Sequence, residues 1–176
     1  MLPLFETRDC LFSADRVYRY QLHIRWGNQP SLVVIGLNPS TADETHNDPT
    51  VRRCIGYARD MNRGGLLMLN MAAFRSTDPR GLLLLADPIG PENTAKNLLR
   101  LALAASPDIP AIAAWGTNAG RSDALLAQAL AIQAIFPRLH CLRTSAHGYP
   151  AHPLYLPKNL RPVPFEPRPP ADQLTG

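Results

Sequence analysis

The sequence is poor in cysteine, in lysine and in long apolar runs. Its three cysteines, Cys10, Cys54 and Cys141, are too few and too far apart for a disulfide framework or a CxxC metal or iron-sulfur site. No segment approaches the roughly 18 consecutive apolar residues of a membrane span. The start, "MLPLFETRDC", lacks the basic region and apolar run of a signal peptide. We therefore expect a cytoplasmic protein with no metal cluster and no membrane association.

The basic residues are almost all arginine, since Lys96 and Lys158 are the only lysines among 18 basic residues. Arginine suits bidentate contact with phosphate and stacking on bases. Codon bias toward arginine would give the same composition. The formal net charge of +4 is too small to establish nucleic-acid binding by itself.

A chain of 176 residues is long enough to bury its own core, about two thirds of the surface that its unfolded form exposes. We expect a single domain over residues 1–160. The proline-rich segment 161–176 is predicted to be an irregular tail.

Strand and helix patterns alternate along the chain. "YRYQLHIRWG" predicts an edge strand, and the buried strands are predicted in "SLVVIGLN", "GLLMLNM", "PAIAAWG" and "RLHCLRTS". Between them, "PTVRRCIGYARDMN", "PENTAKNLLRLALAAS" and "RSDALLAQALAIQAI" predict helices, the first capped by Asp48 with Pro49 in its first turn. This order predicts an α/β fold in three α/β/α layers, with a central, mainly parallel four-stranded sheet.

Polar residues stand where the predicted buried strands end, and ligands of open α/β sheets bind outside the carboxyl ends of the strands. These residues are Asn38, Asn70, the Trp115-Gly116 pair and, in the last loop, His152. Together they suit a pocket for a planar, hydrogen-bonding ring.

Each of these residues also has a structural interpretation. Asn38 before a proline could cap a turn, and His152 could be an ordinary loop histidine. Asn70 is harder to explain in this way, because a buried amide needs several hydrogen bonds. Arg52 and Arg53 could contact phosphate or simply form a solvated helix face.

Four motifs in the same order resemble those of the uracil-DNA glycosylase superfamily. "GLNPS" looks like its first motif, "LLMLNMA" is similar to the strand whose last Asn reads the flipped pyrimidine, "AAWGTNAG" to its Trp-Gly strand end, and "HPLYL" to its final His-Pro motif. The segments "GLNPSTAD", "DPTVRRC", "FRSTDP" and "HPLYL" more closely resemble a family of uncharacterised bacterial and phage proteins that we place within that superfamily.

The resemblance implies a uracil-DNA glycosylase-like fold and a role for each matching residue. His152 would hydrogen-bond the departing pyrimidine and Asn38 would position the hydrolytic water, without cofactor or metal. Asn70 would read the edge of the base. The implied substrate-binding residues are Gly36, Leu37, Pro39, Ser40, Asn70, Trp115 and Gly116. The implied nucleic-acid-binding residues are Arg52, Arg53, Arg75 and Tyr155.

The chain departs from the superfamily pattern at two places. Leu154 follows Pro153 where the final motif has serine, with Tyr155 next to it, and Thr41, Ala42 and Asp43 replace the second catalytic partner of the most active branch. Asp43 could supply a carboxylate or only cap a turn. Ordinary uracil is therefore a doubtful substrate.

The leading hypothesis is a DNA glycosylase-like hydrolase that binds single- or double-stranded DNA and acts on a flipped, altered or modified base, in repair or phage defence. A non-catalytic nucleic-acid-binding module is an alternative. A hydrolase of free nucleotides or nucleosides is another, and the modest net charge is compatible with it.

Overall fold

A computed structural model describes residues 6–108 and 110–166, and it confirms an α/β fold. The strands are β1 (Thr7–Phe12), β2 (Arg19–Arg25), β3 (Leu32–Gly36), β4 (Gly65–Asn70), β5 (Ala111–Ala113), β6 (Leu139–Cys141) and β7 (Val163–Pro164). The helices are α1 (Pro49–Asp60), α2 (Ala95–Ala105) and α3 (Asp123–Ile135). Within these described ranges, every helix is too short or too polar to cross a bilayer.

The sheet has seven strands in the order β1-β2-β4-β3-β5-β6-β7, and it is mixed. The pairs β3/β4, β3/β5 and β5/β6 are parallel, whereas β1/β2, β2/β4 and β6/β7 are antiparallel. A four-stranded, mainly parallel sheet is therefore not confirmed. The four predicted buried strands lie side by side as β4-β3-β5-β6, and additional antiparallel strands extend the sheet at both sides.

Helices cover both faces of the sheet. Val33 and Ile35 of β3 belong to the same hydrophobic cluster as Leu98 of α2 and Ile132 of α3. Their neighbours on the strand, including Val34, pack in the cluster that contains α1. Both faces of β3 are therefore buried, which explains why its sequence is a continuous apolar run without alternation.

Helix α1 begins as the sequence predicts. The Asp48 side chain accepts a hydrogen bond from the Val51 backbone N–H at 2.8 Å, and Pro49 occupies the first turn. The second helix begins later than predicted, at Ala95 and not at Pro91, because the Thr94 hydroxyl caps it by accepting from the Asn97 N–H.

Two expectations about the outer parts of the sheet are wrong. Strand β2 is not an edge strand, since β1 pairs with its outer side. The segment after residue 160 is not wholly irregular, because β7 pairs with β6 and Phe165 is buried against the Trp115 ring. The sheet thus continues past the predicted boundary at residue 160, and residues 167–176 of the predicted tail lie outside the described residues.

Candidate functional site

A cavity of about 560 Å³ lies at the carboxyl ends of β3, β4 and β5. Its size is within the usual range of ligand pockets, roughly 300–1,000 Å³. All the residues that the sequence nominates as catalytic or substrate-binding line it: Gly36, Leu37, Asn38, Pro39, Ser40, Asn70, Trp115, Gly116 and His152. The topology therefore brings residues from four separate segments of the chain to one place.

The half-buried amide of Asn38 is held in one orientation. Its Nδ2 donates hydrogen bonds to the backbone carbonyls of Pro39 at 3.0 Å and Ser76 at 2.8 Å. Because both partners are acceptors, the amide nitrogen must face them, and Oδ1 is left as the atom available to a ligand. Asn38 therefore presents an acceptor to the cavity and has no free donor.

Asn70, the last residue of β4, has the opposite character. Its side chain is buried and lines the cavity, and its Nδ2 has no hydrogen-bond partner among the described residues. A buried donor without a partner is costly, by about 1–3 kcal/mol. This amide therefore suits a ligand that brings its own acceptor.

A network of buried amides fixes the backbone behind Asn70. The Asn93 side chain donates to the carbonyls of Asn70 and Met71, each at 2.9 Å, and Gln128 donates to the Asn93 carbonyl at 2.6 Å. The sequence did not point to a role for either residue. Gln128 carried a signal, because it is the polar residue among the buried positions of α3, which are otherwise apolar.

The histidine of the last loop has a defined tautomer. Nδ1 of His152 accepts a hydrogen bond from the Leu154 backbone N–H at 3.3 Å, so a neutral ring carries its proton on Nε2. Burial lowers the pKa of the imidazole, and the charge of Asp48 opposes this shift more weakly. The ring is therefore neutral at pH 7 and offers one N–H donor.

The Trp115-Gly116 pair forms the wall next to His152. Gly116 has φ of +73°, which favours glycine, and a β-carbon there would lie 3.8 Å from Cβ of His152. Its N–H donates to the Pro150 carbonyl at 2.8 Å, which joins β5 to the last loop. Trp115 lines the cavity, but its indole also packs edge-on against Phe165, so it has a structural role as well.

Two charged side chains that the sequence did not nominate also line the cavity, Arg19 and Asp48. Asp48 was predicted only as a helix cap, and one of its oxygens does cap α1. Arg19 starts β2, and because β2 is antiparallel to β4, its first residue lies near the carboxyl end of β4. Both side chains are buried, with exposed fractions of 2% for Arg19 and 8% for Asp48.

The predicted nucleic-acid contacts are divided among three places. Tyr155 lines the cavity and is 84% exposed. Arg52 and Arg53 lie on an adjoining surface depression that also includes Lys158, and Arg53 donates to the Leu154 carbonyl. Arg75 lies outside the cavity lining, where its guanidinium contacts the Phe12 ring at 5.0 Å.

Asp43 organises a loop and is not part of the cavity lining. Its Oδ1 accepts hydrogen bonds from the backbone N–H groups of Thr45 and His46, both at 2.8 Å, and these bonds lower its pKa. His46 and His147 are exposed and also lie outside the lining. Across residues 6–108 and 110–166, no three His, Cys, Asp or Glu side chains form a group that could hold a metal ion.

Comparison with known protein families gives a match. A family model described as "Protein of unknown function (DUF1643)" matches residues 19–154. That span includes Asn38, Asn70 and His152. No curated protein and no solved structure matches the chain.

Proposed function

We infer that this chain, which belongs to the DUF1643 family, is a DNA glycosylase-like hydrolase that cleaves the N-glycosidic bond of a flipped, altered or modified base. One observation carries the proposal: Asn38, Asn70 and His152 line a single cavity and present complementary groups to it. The acceptor of Asn38 suits a water molecule, and the unpartnered donor of Asn70 suits the edge of a base. The neutral N–H donor of His152 suits the departing anion.

The reaction has two electronic demands. When the bond between the sugar C1′ and the base nitrogen breaks, its electron pair leaves with the base, and the sugar becomes cationic at C1′. A water molecule then forms the new bond to C1′ and loses a proton to solvent or to the departing base. The site must stabilise the anionic base and direct the water.

His152 answers the first demand through Nε2–H, which would donate to an oxygen of the departing base. Removing one such preorganised donor typically costs about 10²- to 10³-fold in rate. Asn38 answers the second, because its Oδ1 can accept a hydrogen bond from water and hold the oxygen toward C1′. Asp48, the carboxylate that lines the cavity, would favour the cationic sugar electrostatically.

Asn70 is suited to select the base. Its Nδ2 has no partner within the described structure, so a carbonyl or ring nitrogen of the base would satisfy it. The base must leave the helical stack to reach it, which costs a few kcal/mol and favours damaged, mismatched or modified bases. The exposed ring of Tyr155 and the cations Arg52 and Arg53 would contact the flanking nucleotides and phosphates.

The proposed relationship to the uracil-DNA glycosylase superfamily has structural support. The strands β4, β3, β5 and β6 form a parallel block, and the residues of the four motifs follow their carboxyl ends. Antiparallel strands flank this block on both sides.

A hydrolase of free nucleotides is the second candidate. The cation that lines the cavity, Arg19, is buried, whereas Arg52 and Arg53 lie on a neighbouring depression. A cation within the cavity suits a free nucleotide, because its phosphate can enter the cavity completely.

The deciding experiment incubates the protein with single- and double-stranded oligonucleotides that carry a panel of altered and phage-type bases, and measures abasic sites. The variants are His152→Ala and Asn38→Ala, with His147→Ala as the control, an exposed histidine of the same loop outside the cavity lining. We expect product with wild type and the control, and a loss of about 100-fold or more in His152→Ala. DNA binding without product from any base would instead support the non-catalytic module. The same bases are also supplied as free nucleotides, and release of base from these alone would support the second candidate.

A further inference from the structure

The guanidinium of Arg19 is unusual because it is buried without an ionic partner. Its side chain is 98% removed from solvent, yet it lines the cavity. No carboxylate of the described residues lies within 4.0 Å of it, since every ion pair found there involves other side chains. A buried cation in this situation carries a large desolvation cost.

Hydrogen bonds within the protein use little of its capacity. A guanidinium has five N–H donors, and the one hydrogen bond that Arg19 makes through them in the described structure runs from Nη1 to the Ala42 carbonyl at 2.6 Å. Its Nε is buried with no acceptor. Anchoring Ala42 would need only a neutral donor, so this structural role does not explain a charge.

The surrounding charges do not neutralise it. Burial is the largest influence on Arg19 and lowers its pKa to about 10, while the attraction of the Asp48 and Asp43 carboxylates is weaker and Arg75 repels it. Even so, the guanidinium stays charged at neutral pH. The cavity therefore contains a fixed positive charge with free donors.

We propose that Arg19 binds a phosphate group of a nucleotide ligand inside the cavity. The planar fork of a guanidinium matches two phosphate oxygens, and the hydroxyls of Ser40 and Thr77 line the same cavity. A volume of about 560 Å³ exceeds what a single base requires and leaves space for sugar and phosphate. The inference deepens the proposed function, on whose cavity it rests, by naming a charged group of the substrate.

The phosphate could be the 5′-phosphate or the 3′-phosphate of the nucleotide that enters the cavity. Calorimetric titration at constant ionic strength would compare deoxyuridine, its 5′-monophosphate, its 3′-monophosphate and inorganic phosphate. We expect one monophosphate to bind wild type at least about tenfold more tightly than deoxyuridine, and the preferred isomer identifies the phosphate.

Arg19→Met removes the charge and is expected to abolish this preference. Arg19→Gln also removes the charge but keeps a donor for the Ala42 carbonyl, so it tests the same point if the Met variant does not fold. Arg100→Met removes an exposed arginine of α2 and should retain the wild-type preference. Equal binding of all the probes by wild type, or an unchanged preference in a folded Arg19 variant, would overturn the proposal.

The result of this titration does not depend on catalysis, because the titration measures only binding. If no oligonucleotide yields an abasic site but the phosphate preference depends on Arg19, the glycosylase proposal fails and this one stands. If abasic product forms and the preference is absent, the glycosylase proposal stands and the phosphate-binding proposal fails.

Discussion

Gly36 and Asn70 are paired in the parallel register of β3 and β4, and the Asn70 amide occupies the space beside the glycine. A β-carbon at position 36 would lie 2.9 Å from Oδ1 of Asn70. This distance is shorter than the contacts that β-carbons make in protein structures. Glycine at this position is therefore what allows the Asn70 side chain to lie where it does. Gly36 of the first motif and Asn70 at the end of β4 are therefore coupled by steric contact.

Gly36→Ala is expected to displace the Asn70 amide and to lower product formation by roughly tenfold to a hundredfold, because small misplacements of positioning groups are costly. The free energy of unfolding should change by less than about 1 kcal/mol, since the end of a side chain can move. Gly56→Ala in α1, where nothing lies within 4 Å, is the control and should increase stability by about 0.5–1 kcal/mol. Equal effects of both variants on activity would contradict the coupling.

His152 predicts a specific pH dependence of stability. Burial lowers the pKa of its imidazole from 6.5, so below that pH the unfolded chain binds a proton that the folded chain does not. The free energy of unfolding should therefore fall as the pH decreases from 6.5 through the folded-state pKa, and this contribution should be fully present above 6.5.

Urea unfolding between about pH 8 and about pH 5 would test this in wild type and His152→Gln. The glutamine variant lacks the titration, so its stability should fall less steeply over the same interval. His23, whose pKa is also lowered by burial, is present in both proteins, and its contribution cancels in the comparison. Parallel curves would show that burial does not hold His152 neutral.

The sequence predicted the elements whose signals are local. Continuous apolar runs identified the buried strands β3, β4 and β5, and Asp48 before Pro49 identified the start of α1. It did not predict the mixed sheet, because the direction and partner of a strand depend on contacts with distant residues. Strand β7, only two exposed residues long, has no pattern that a sequence window could detect.

The candidate site shows the same division. Asn38, Asn70 and His152 could be nominated because they follow strand ends, where ligands of α/β sheets bind. Arg19 could not, because an arginine at the start of a strand usually points to solvent. Only the antiparallel pairing of β2 with β4 brings it to the cavity. Asn93 lies in a polar segment that gives no sign of its buried hydrogen bonds.

Asp48 has two separable roles, and substitutions should distinguish them. Asp48→Asn keeps an oxygen that can cap α1 and removes the charge, so stability should stay within about 0.5 kcal/mol while product formation falls at least about tenfold. Asp48→Ala should also lose about 1 kcal/mol of stability with the cap. Full activity in Asp48→Asn would exclude an electrostatic role for the carboxylate.

Asn93→Ala should destabilise the protein by about 2 kcal/mol, because the buried Asn70 carbonyl loses its Asn93 donor and the Met71 carbonyl keeps only Gln128 at 3.3 Å. Product formation should also fall, since this network fixes the backbone at Asn70. Asn97→Ala removes an exposed hydrogen bond from the Asn97 side-chain amide to the Glu92 backbone carbonyl and should cost less than about 0.5 kcal/mol. Denaturant titration would compare the two variants, and equal losses would mean that the buried network has no special weight.

Tyr155 offers a test of DNA contact that is independent of catalysis. Its ring is 84% exposed at the cavity and lies 5.8 Å from the His152 ring, so a base that stacks on it would enter beside the proposed donor. Stacking of a base on an aromatic side chain is worth about 1–3 kcal/mol, so Tyr155→Ala should weaken binding of a single-stranded oligonucleotide by about tenfold or more. Tyr155→Phe should bind like wild type, and so should Leu130→Ala, which shortens an exposed side chain of α3. If Tyr155→Ala retained full affinity in a fluorescence anisotropy titration, the exposed ring would not be a stacking contact, and the case for free nucleotides as substrates would strengthen.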